Sequence, residues 1–364
     1  MTNRDTGPAR PGPAAPAPQV APARRGPPVK AIALIGLLLV LLVTVVGGIL
    51  LWGRVSAFNA SVSTATTASS ALWGPLGGGE RVNIALFGYG GPEHRSGNFL
   101  ADSIQIISID PTSKATTIIP IPRDLWVEGV AELPDNGKIN EAFAAGYEAG
   151  GLEEAGRLAT EVLTVVTGLE IQHWMAMDFA GFKEMIDAVG GVTVYNPRAF
   201  RYTWYEPAFQ RGRFTAGGFA RGTIHLDGED ALSYARARYT SLPRESSDFA
   251  RAARQQRVLA ALRAKLGDGG LGSIGPGLAM MDALEGNMKT DLSAFDLFLL
   301  SSHMSPDRTI RLKEGEILEA TTNTLGQYIL VVRGRANASD YAPLHAYLER
   351  QLAKPIRSPS ASPS

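Results

Sequence analysis

The sequence predicts an α/β protein: an α-β-α sandwich with a central mixed sheet, preceded by one transmembrane helix. Three observations point there. An uncharged apolar run stands close to the N-terminus. Beyond it, short β-branched runs alternate with segments of helical period. The 364 residues are 45% hydrophobic and 19% charged, enough apolar material for a large core.

Residues 1–30 carry eight prolines and little apolar bulk, the composition of a disordered tail. AIALIGLLLVLLVTVVGGILLW, residues 31–52, follows without a charge. As a helix at roughly 1.5 Å per residue it spans about 33 Å, the thickness of a bilayer's hydrocarbon core. Arg24, Arg25 and Lys30 precede the run, and only Arg54 follows it before Glu80, so the tail is expected in the cytoplasm and the rest outside. Val55-Ser56-Ala57 resembles a cleavage site. The apolar run nevertheless exceeds the roughly 7–15 residues of a signal peptide's core, and a retained anchor over 31–53 is expected. Residues 54–80 read as a stalk, 81–350 as one globular domain and 351–364 as a disordered tail.

Within the domain, 82–88, 103–109 and 115–121 are apolar, β-branched runs, and Asp110-Pro111-Thr112-Ser113 reads as the turn between the second and third. Helices are expected at 140–149, 152–167, 179–189, 228–235, 248–266, 293–303 and 340–353. Further strands are expected at 173–177, from Gly191, near 308–313 and at 328–334.

Composition excludes several functions. No cysteine means no disulfide, thiolate metal site or cysteine nucleophile. Balanced charge, 35 basic against 35 acidic residues, argues against a nucleic-acid partner. His94, His173, His225, His303 and His345 lack metal-ligand spacing.

The conspicuous feature is YARARYTSLPRESSDFARAARQQR, residues 234–257, with six arginines. In its second half Asp248, Arg251 and Gln255 share one helical face, while Arg254 and Arg257 fall off that row and read as solvated. Ser247 or Asp248 can cap the helix. Arg236 and Arg238 share a side if extended and diverge by about 200° if helical. Arg123 and Asp124 follow a predicted strand at the edge where α/β sheets bind ligands. They suit either a bidentate phosphate grip or an ion pair closing a loop. Asp102, at the entrance of the second strand, suits either a hard cation or solvent.

Seven motifs in order make the chain resemble the LytR-CpsA-Psr family. They are L-x-D-S with its strand (100–109), IPRDLWV (121–127), GKINEAF (137–143), DFAGF (178–182), DAVGGV (187–192), LDGEDALSYARAR (226–238) and SDFARAARQQ (247–256). The resemblance implies a Mg²⁺-dependent phosphotransferase. It would move a glycopolymer from a polyprenyl-pyrophosphate carrier in the membrane to peptidoglycan, with teichoic acid among the possible polymers. A polyprenyl pyrophosphatase and a non-catalytic lipid-phosphate-binding regulator are the alternatives. By position, the resemblance makes Asp102 the metal-binding acid and Arg123, Arg236, Arg238, Arg251 and Gln255 the pyrophosphate contacts. Lys138 joins those contacts, with Asp248 as organiser or base and Asp124 beside Arg123. Two departures stand out. FGYGG (87–91) lacks the acid of the family's G-x-D motif, and Leu100 replaces an arginine, with Arg95 nearby as a substitute. Asp124 or Asp248 is then expected to complete the metal's ligands.

Overall fold

A computed structural model describes residues 29–64, 81–91, 99–133, 135–206, 213–237, 239–266, 274–301 and 306–356. The chain divides into two units, Met1–Gly53 and Arg54–Ser364. Helix α1 (Val29–Val62) runs through the apolar segment. Its stretch Thr44–Val62 is long and apolar enough to cross a membrane, and Ile49, Leu50 and Trp52 are exposed on it. In the second unit the last turns of this helix bury Phe58 and Val62.

The second unit begins with β1 (Val82–Tyr89), β2 (Ala101–Ile109), β3 (Thr116–Ile121), and the two-residue β4 (Trp126–Val127) and β5 (Gly137–Lys138). Then come α2 (Glu141–Thr167), β6 (His173–Asp178), α3 (Phe179–Ala188) and β7 (Val192–Asn196). Next are the hairpin β8 (Phe200–Glu206) and β9 (Arg213–Phe219), β10 (Gly222–Leu226), α4 (Gly228–Arg236), β11 (Tyr239–Thr240) and α5 (Asp248–Leu266). The chain ends with α6 (Ile274–Leu284), β12 (Met288–Thr290), α7 (Ala294–Ser301), β13 (Arg308–Thr309), β14 (Leu318–Thr322), β15 (Tyr328–Val332) and α8 (Ala342–Leu352).

Six strands form the central sheet in the order β12-β6-β1-β2-β3-β13. It is mixed: β1 is antiparallel to β2 but parallel to β6, and β13 is parallel to β3. Alternation along each strand separates two cores. Ile104, Ile106, Ile119 and Ile121 join α2 and α8 on one face. Ile84, Ile107, Ile109 and Ile118 join α3, α4, α5 and α7 on the other. This is the sandwich expected from the sequence. The predicted helices 140–149 and 152–167 are the two halves of α2, separated as expected by a kink where Gly150 and Gly151 (φ +76° at Gly151) leave helical geometry. The hairpin β8–β9 and α6 were not expected. The former mixes aromatics with Gly217-Gly218, the latter interrupts its helical period with Gly275-Pro276-Gly277.

Helix α2 lies on the sheet through Gly156. A Cβ there would stand 2.2 Å from the Trp174 ring, so no side chain fits between helix and strand. Gly156→Ala is expected to destabilise the domain by about 2 kcal/mol, the cost of overpacking a filled core. Chemical denaturation measures it, and a midpoint equal to wild type would refute the close packing.

Candidate functional site

The register of β2 against β3 builds the centre of the site. Ile104 faces Ile121 across the antiparallel pair, so Asp102, two residues before, and Arg123, two residues after, meet at the same sheet edge. Arg123 Nη1 donates to Asp102 Oδ1. The parallel pair β1–β6 ends at this edge too, with Tyr89 opposite Asp178. Carboxyl ends of parallel strands are where α/β sheets leave a crevice.

Three further side chains arrive from helices. Arg236 closes α4, where a cation suits the helix's negative end. Its guanidinium lies 3.9 Å over the Phe179 ring, and Nη2 stands 3.8 Å from Asp102 Oδ2. Arg251 and Gln255 sit one turn apart on α5 and line the same cavity as Asp102. Gln255 Oε1 accepts from Ser103 Oγ and Gln105 Nε2, both at 3.3 Å. That fixes which end of the amide faces β2 and turns its NH₂ away from the strand.

The cavity, about 260 Å³, has two ends. Asp102, Arg123, Arg236, Arg251 and Gln255 make one polar. Met175, Met177, Phe182, Met185, Leu232 and Leu259 make the rest apolar. Among the described residues that line the cavity, three guanidiniums stand against two carboxylates, Asp102 and Asp178. Arg123 Nε is buried without a hydrogen-bond acceptor. Its nearest carboxylate oxygen, Asp124 Oδ2, is 3.7 Å away. An anion at the polar end would supply the missing acceptor.

Other expected residues lie elsewhere. Asp124 Oδ1 accepts from Lys138 Nζ at 2.8 Å, so Lys138 stands one contact behind Arg123, and Asp124 faces a separate open cleft. Helix α5 starts at Asp248, and Ser247 Oγ caps it by accepting from Ala250 N. Arg95, Arg238 and the Asp248 side chain lie outside the described residues. The helix through Arg236 settles its own backbone state: it is helical, not extended.

Arg254 corrects the sequence reading. It is fully buried, not solvated. Its guanidinium donates to the carbonyls of Tyr234, Ala237 and Glu245 and to Glu245 Oε2. Burial pulls its pKa down, and the Glu245 charge opposes that shift. Arg257 Nη1 donates to Tyr234 Oη at 3.2 Å.

Asp178 had no assigned role in the sequence. It caps α3 by accepting from Gly181 N at 2.8 Å and lines the cavity. Burial first, and the Asp178 charge second, push the Tyr89 phenol far above its ordinary pKa. Ser103 and Gln105 carried a legible signal, two polar residues on one side of the apolar run SIQIISI.

Among the described residues no group of three acidic or imidazole side chains converges on one point. The donors at the polar end are oxygens only, from Asp102, Asp178 and the buried, unpartnered Gln105 Oε1. That set fits a hard cation such as Mg²⁺, which needs one or two carboxylates when phosphates supply the rest. It does not fit a cage that holds metal by itself, because Arg123 and Arg236 already face Asp102.

Fold and site together define an α/β protein with a guanidinium-rich cluster at the sheet edge that opens into an apolar cavity. The LytR_cpsA_psr family model matches residues 57–340, and the chain belongs to that family. An Enterococcus faecalis protein named polyisoprenyl-teichoic acid–peptidoglycan teichoic acid transferase TagU is 30% identical over 267 residues, 72% of this chain and 78% of that protein. A Bacillus cereus protein of the same name is 32% identical over 60% of this chain and 63% of its own length. The crystal structure of protein gbs0355 from Streptococcus agalactiae superposes with a TM-score of 0.56 at 25% identity, covering 76% of this chain and 90% of that one.

Glu245→Ala is expected to cost about 3 kcal/mol, because it strips the carboxylate from a buried guanidinium. Urea denaturation checks this. A loss under about 0.5 kcal/mol, the size of an ordinary surface substitution, would show that the three carbonyls suffice.

Proposed function

We propose that this chain is a membrane-anchored phosphotransferase that moves a glycopolymer from a polyprenyl-pyrophosphate carrier to peptidoglycan. One observation carries the reading: a single cavity joins a guanidinium-rich end to an apolar end. A polyprenyl pyrophosphate has the same two parts in the same order. The family and the names of the relatives support the reaction class.

In the proposed step a sugar hydroxyl oxygen bonds to the phosphorus that carries the polymer. The bond from that phosphorus to the bridging oxygen breaks, polyprenyl monophosphate leaves, and the hydroxyl proton is released. Phosphoryl transfer asks the protein mainly for positioning and charge neutralisation. Arg123, Arg236 and Arg251 supply planar donors matched to phosphate oxygens. Gln255 adds a neutral donor whose direction Ser103 and Gln105 set. Asp102 orients Arg123 before substrate arrives. Met175, Met177 and Phe182 hold the first isoprene units and keep water from the leaving group.

Asp102 is the residue to hold Mg²⁺, with Asp178 a second carboxylate in the lining of the same cavity. The ion, when bound, offsets the charge gathering on the pyrophosphate. The basic flank Arg24, Arg25 and Lys30 supports an N-terminus in the cytoplasm and a catalytic domain outside. The exposed apolar side chains of α1 support lipid as their solvent.

With full-length protein in detergent and a polyprenyl-pyrophosphate-linked saccharide, Asp102→Asn and Arg123→Ala are each expected to lower the release of polyprenyl phosphate about 100-fold or more. Full activity in both variants would sink the site. Tight donor binding without turnover in the parent chain would favour a non-catalytic binder.

Metal binding should depend on substrate. Electron paramagnetic resonance with Mn²⁺ as probe is expected to register weak binding to the free chain and at least tenfold tighter binding once inorganic pyrophosphate is added, a gain of about 1.4 kcal/mol. Asp102→Asn should abolish the gain. Equal affinity with and without pyrophosphate would refute co-binding.

A further inference from the structure

A second, wider cleft of about 720 Å³ opens where β8 and β11 meet β15. Its lining differs in kind from the apolar cavity. Tyr239 and Tyr328 contribute rings, Arg201 a guanidinium, Asp124 a carboxylate, and serines and threonines most of the remainder, while the Tyr202 ring stacks on Phe219 instead; among the described residues no aliphatic side chain takes part. Tyr239 is 67% exposed and Tyr328 49%. A phenol ring at a wet surface offers an apolar face and a polar tip. A pyranose ring is the complement, with C–H bonds across its face and hydroxyls around its rim.

The cleft is also well built. Tyr239 pairs with Thr203, and Thr240 with Tyr202, across β11–β8. Ser241 N donates to Arg201 O at 2.8 Å, and Arg201 N donates to Ser241 Oγ at 3.0 Å. Thr240 and Ser246 hydroxyls are hydrogen-bonded at 2.9 Å. These bonds hold the wall in place without a ligand, as preformed sites require.

Position gives the cleft its meaning. Ser247 and Tyr328 line both it and a smaller cavity of about 170 Å³. Asp102, Arg251 and Gln255 line that smaller cavity and the apolar one. The charged cluster therefore borders both the apolar cavity and a smaller cavity of mixed lining that leads toward the tyrosine cleft. An in-line displacement needs its attacking and leaving oxygens on opposite sides of phosphorus.

We propose that the tyrosine cleft is the acceptor subsite, which seats a chain of N-acetylated amino sugars and delivers its hydroxyl toward the cluster. This rests on the transferase reading. A wide surface cleft suits a polymer that enters sideways and continues past the protein. The same chemistry would also suit sugars of the donor, and the test separates the two.

The test uses the full chain in detergent. Calorimetry measures binding of a soluble tetrasaccharide of alternating N-acetylated amino sugars. A parallel titration measures binding of a polyprenyl-pyrophosphate-linked disaccharide, and its cleavage by water is followed as release of polyprenyl phosphate. Tyr239→Ala and Arg201→Ala are each expected to weaken tetrasaccharide binding about tenfold, with Tyr239→Phe retaining it. Donor affinity and cleavage by water should not change. The proposal is overturned if the parent binds no tetrasaccharide, if both variants bind it as the parent does, or if donor affinity falls by the same factor. A parent that binds the tetrasaccharide but cleaves no donor would support the subsite while overturning the transferase reading.

Discussion

One buried arginine holds the site together. Arg254 reaches from α5 into the end of α4 and bonds the carbonyls of Tyr234 and Ala237, which flank Arg236. It also ties down Glu245, in the loop that returns the chain to α5. The two helices that supply Arg236, Arg251 and Gln255 are thus locked by a side chain that touches no ligand. Burying a guanidinium is expensive unless every donor is used. Here three carbonyls and a carboxylate take four of its five N–H donors. Conformational specificity is what the arrangement yields in return.

How much of this was legible depends on whether the signal is local. Strands β1, β2, β3 and β6 announce themselves by β-branched runs and turn residues, and α5 by its apolar stripe. The convergence of Asp102 with Arg123 follows from a hairpin register that the turn at Asp110 made readable. Arg254 was misread because helical period gives a residue's direction but not what lies there. It points at α4, and only the tertiary arrangement reveals carbonyls waiting for it. The tyrosine cleft was illegible for the same reason. Arg201, Tyr239 and Tyr328 come from three strands, and the hairpin that carries Arg201 gave no clear alternation.

The site divides its work by chemical hardness. Fixed charges gather on the sheet edge and the facing turns of α4 and α5, where strand register and buried hydrogen bonds set positions closely. The apolar wall is made of methionine, leucine and phenylalanine, whose contacts are non-directional and tolerant of a flexible ligand. A pyrophosphate needs the first kind of surface, and an isoprenoid tail needs only the second.

The hairpin that brings Asp102 to Arg123 spans few residues, whereas Arg236 and Arg251 come from more than a hundred residues further along the chain. A partly folded chain with the hairpin but without α5 therefore presents a neutral acid–arginine pair. Arg251, the third guanidinium of the described lining, joins the others only after α5 has docked. An anion in the cavity consequently favours the docked state over every earlier one, by an amount that grows with the logarithm of its concentration. Ligand and tertiary structure are linked variables here: a saturated site is also a fastened helix.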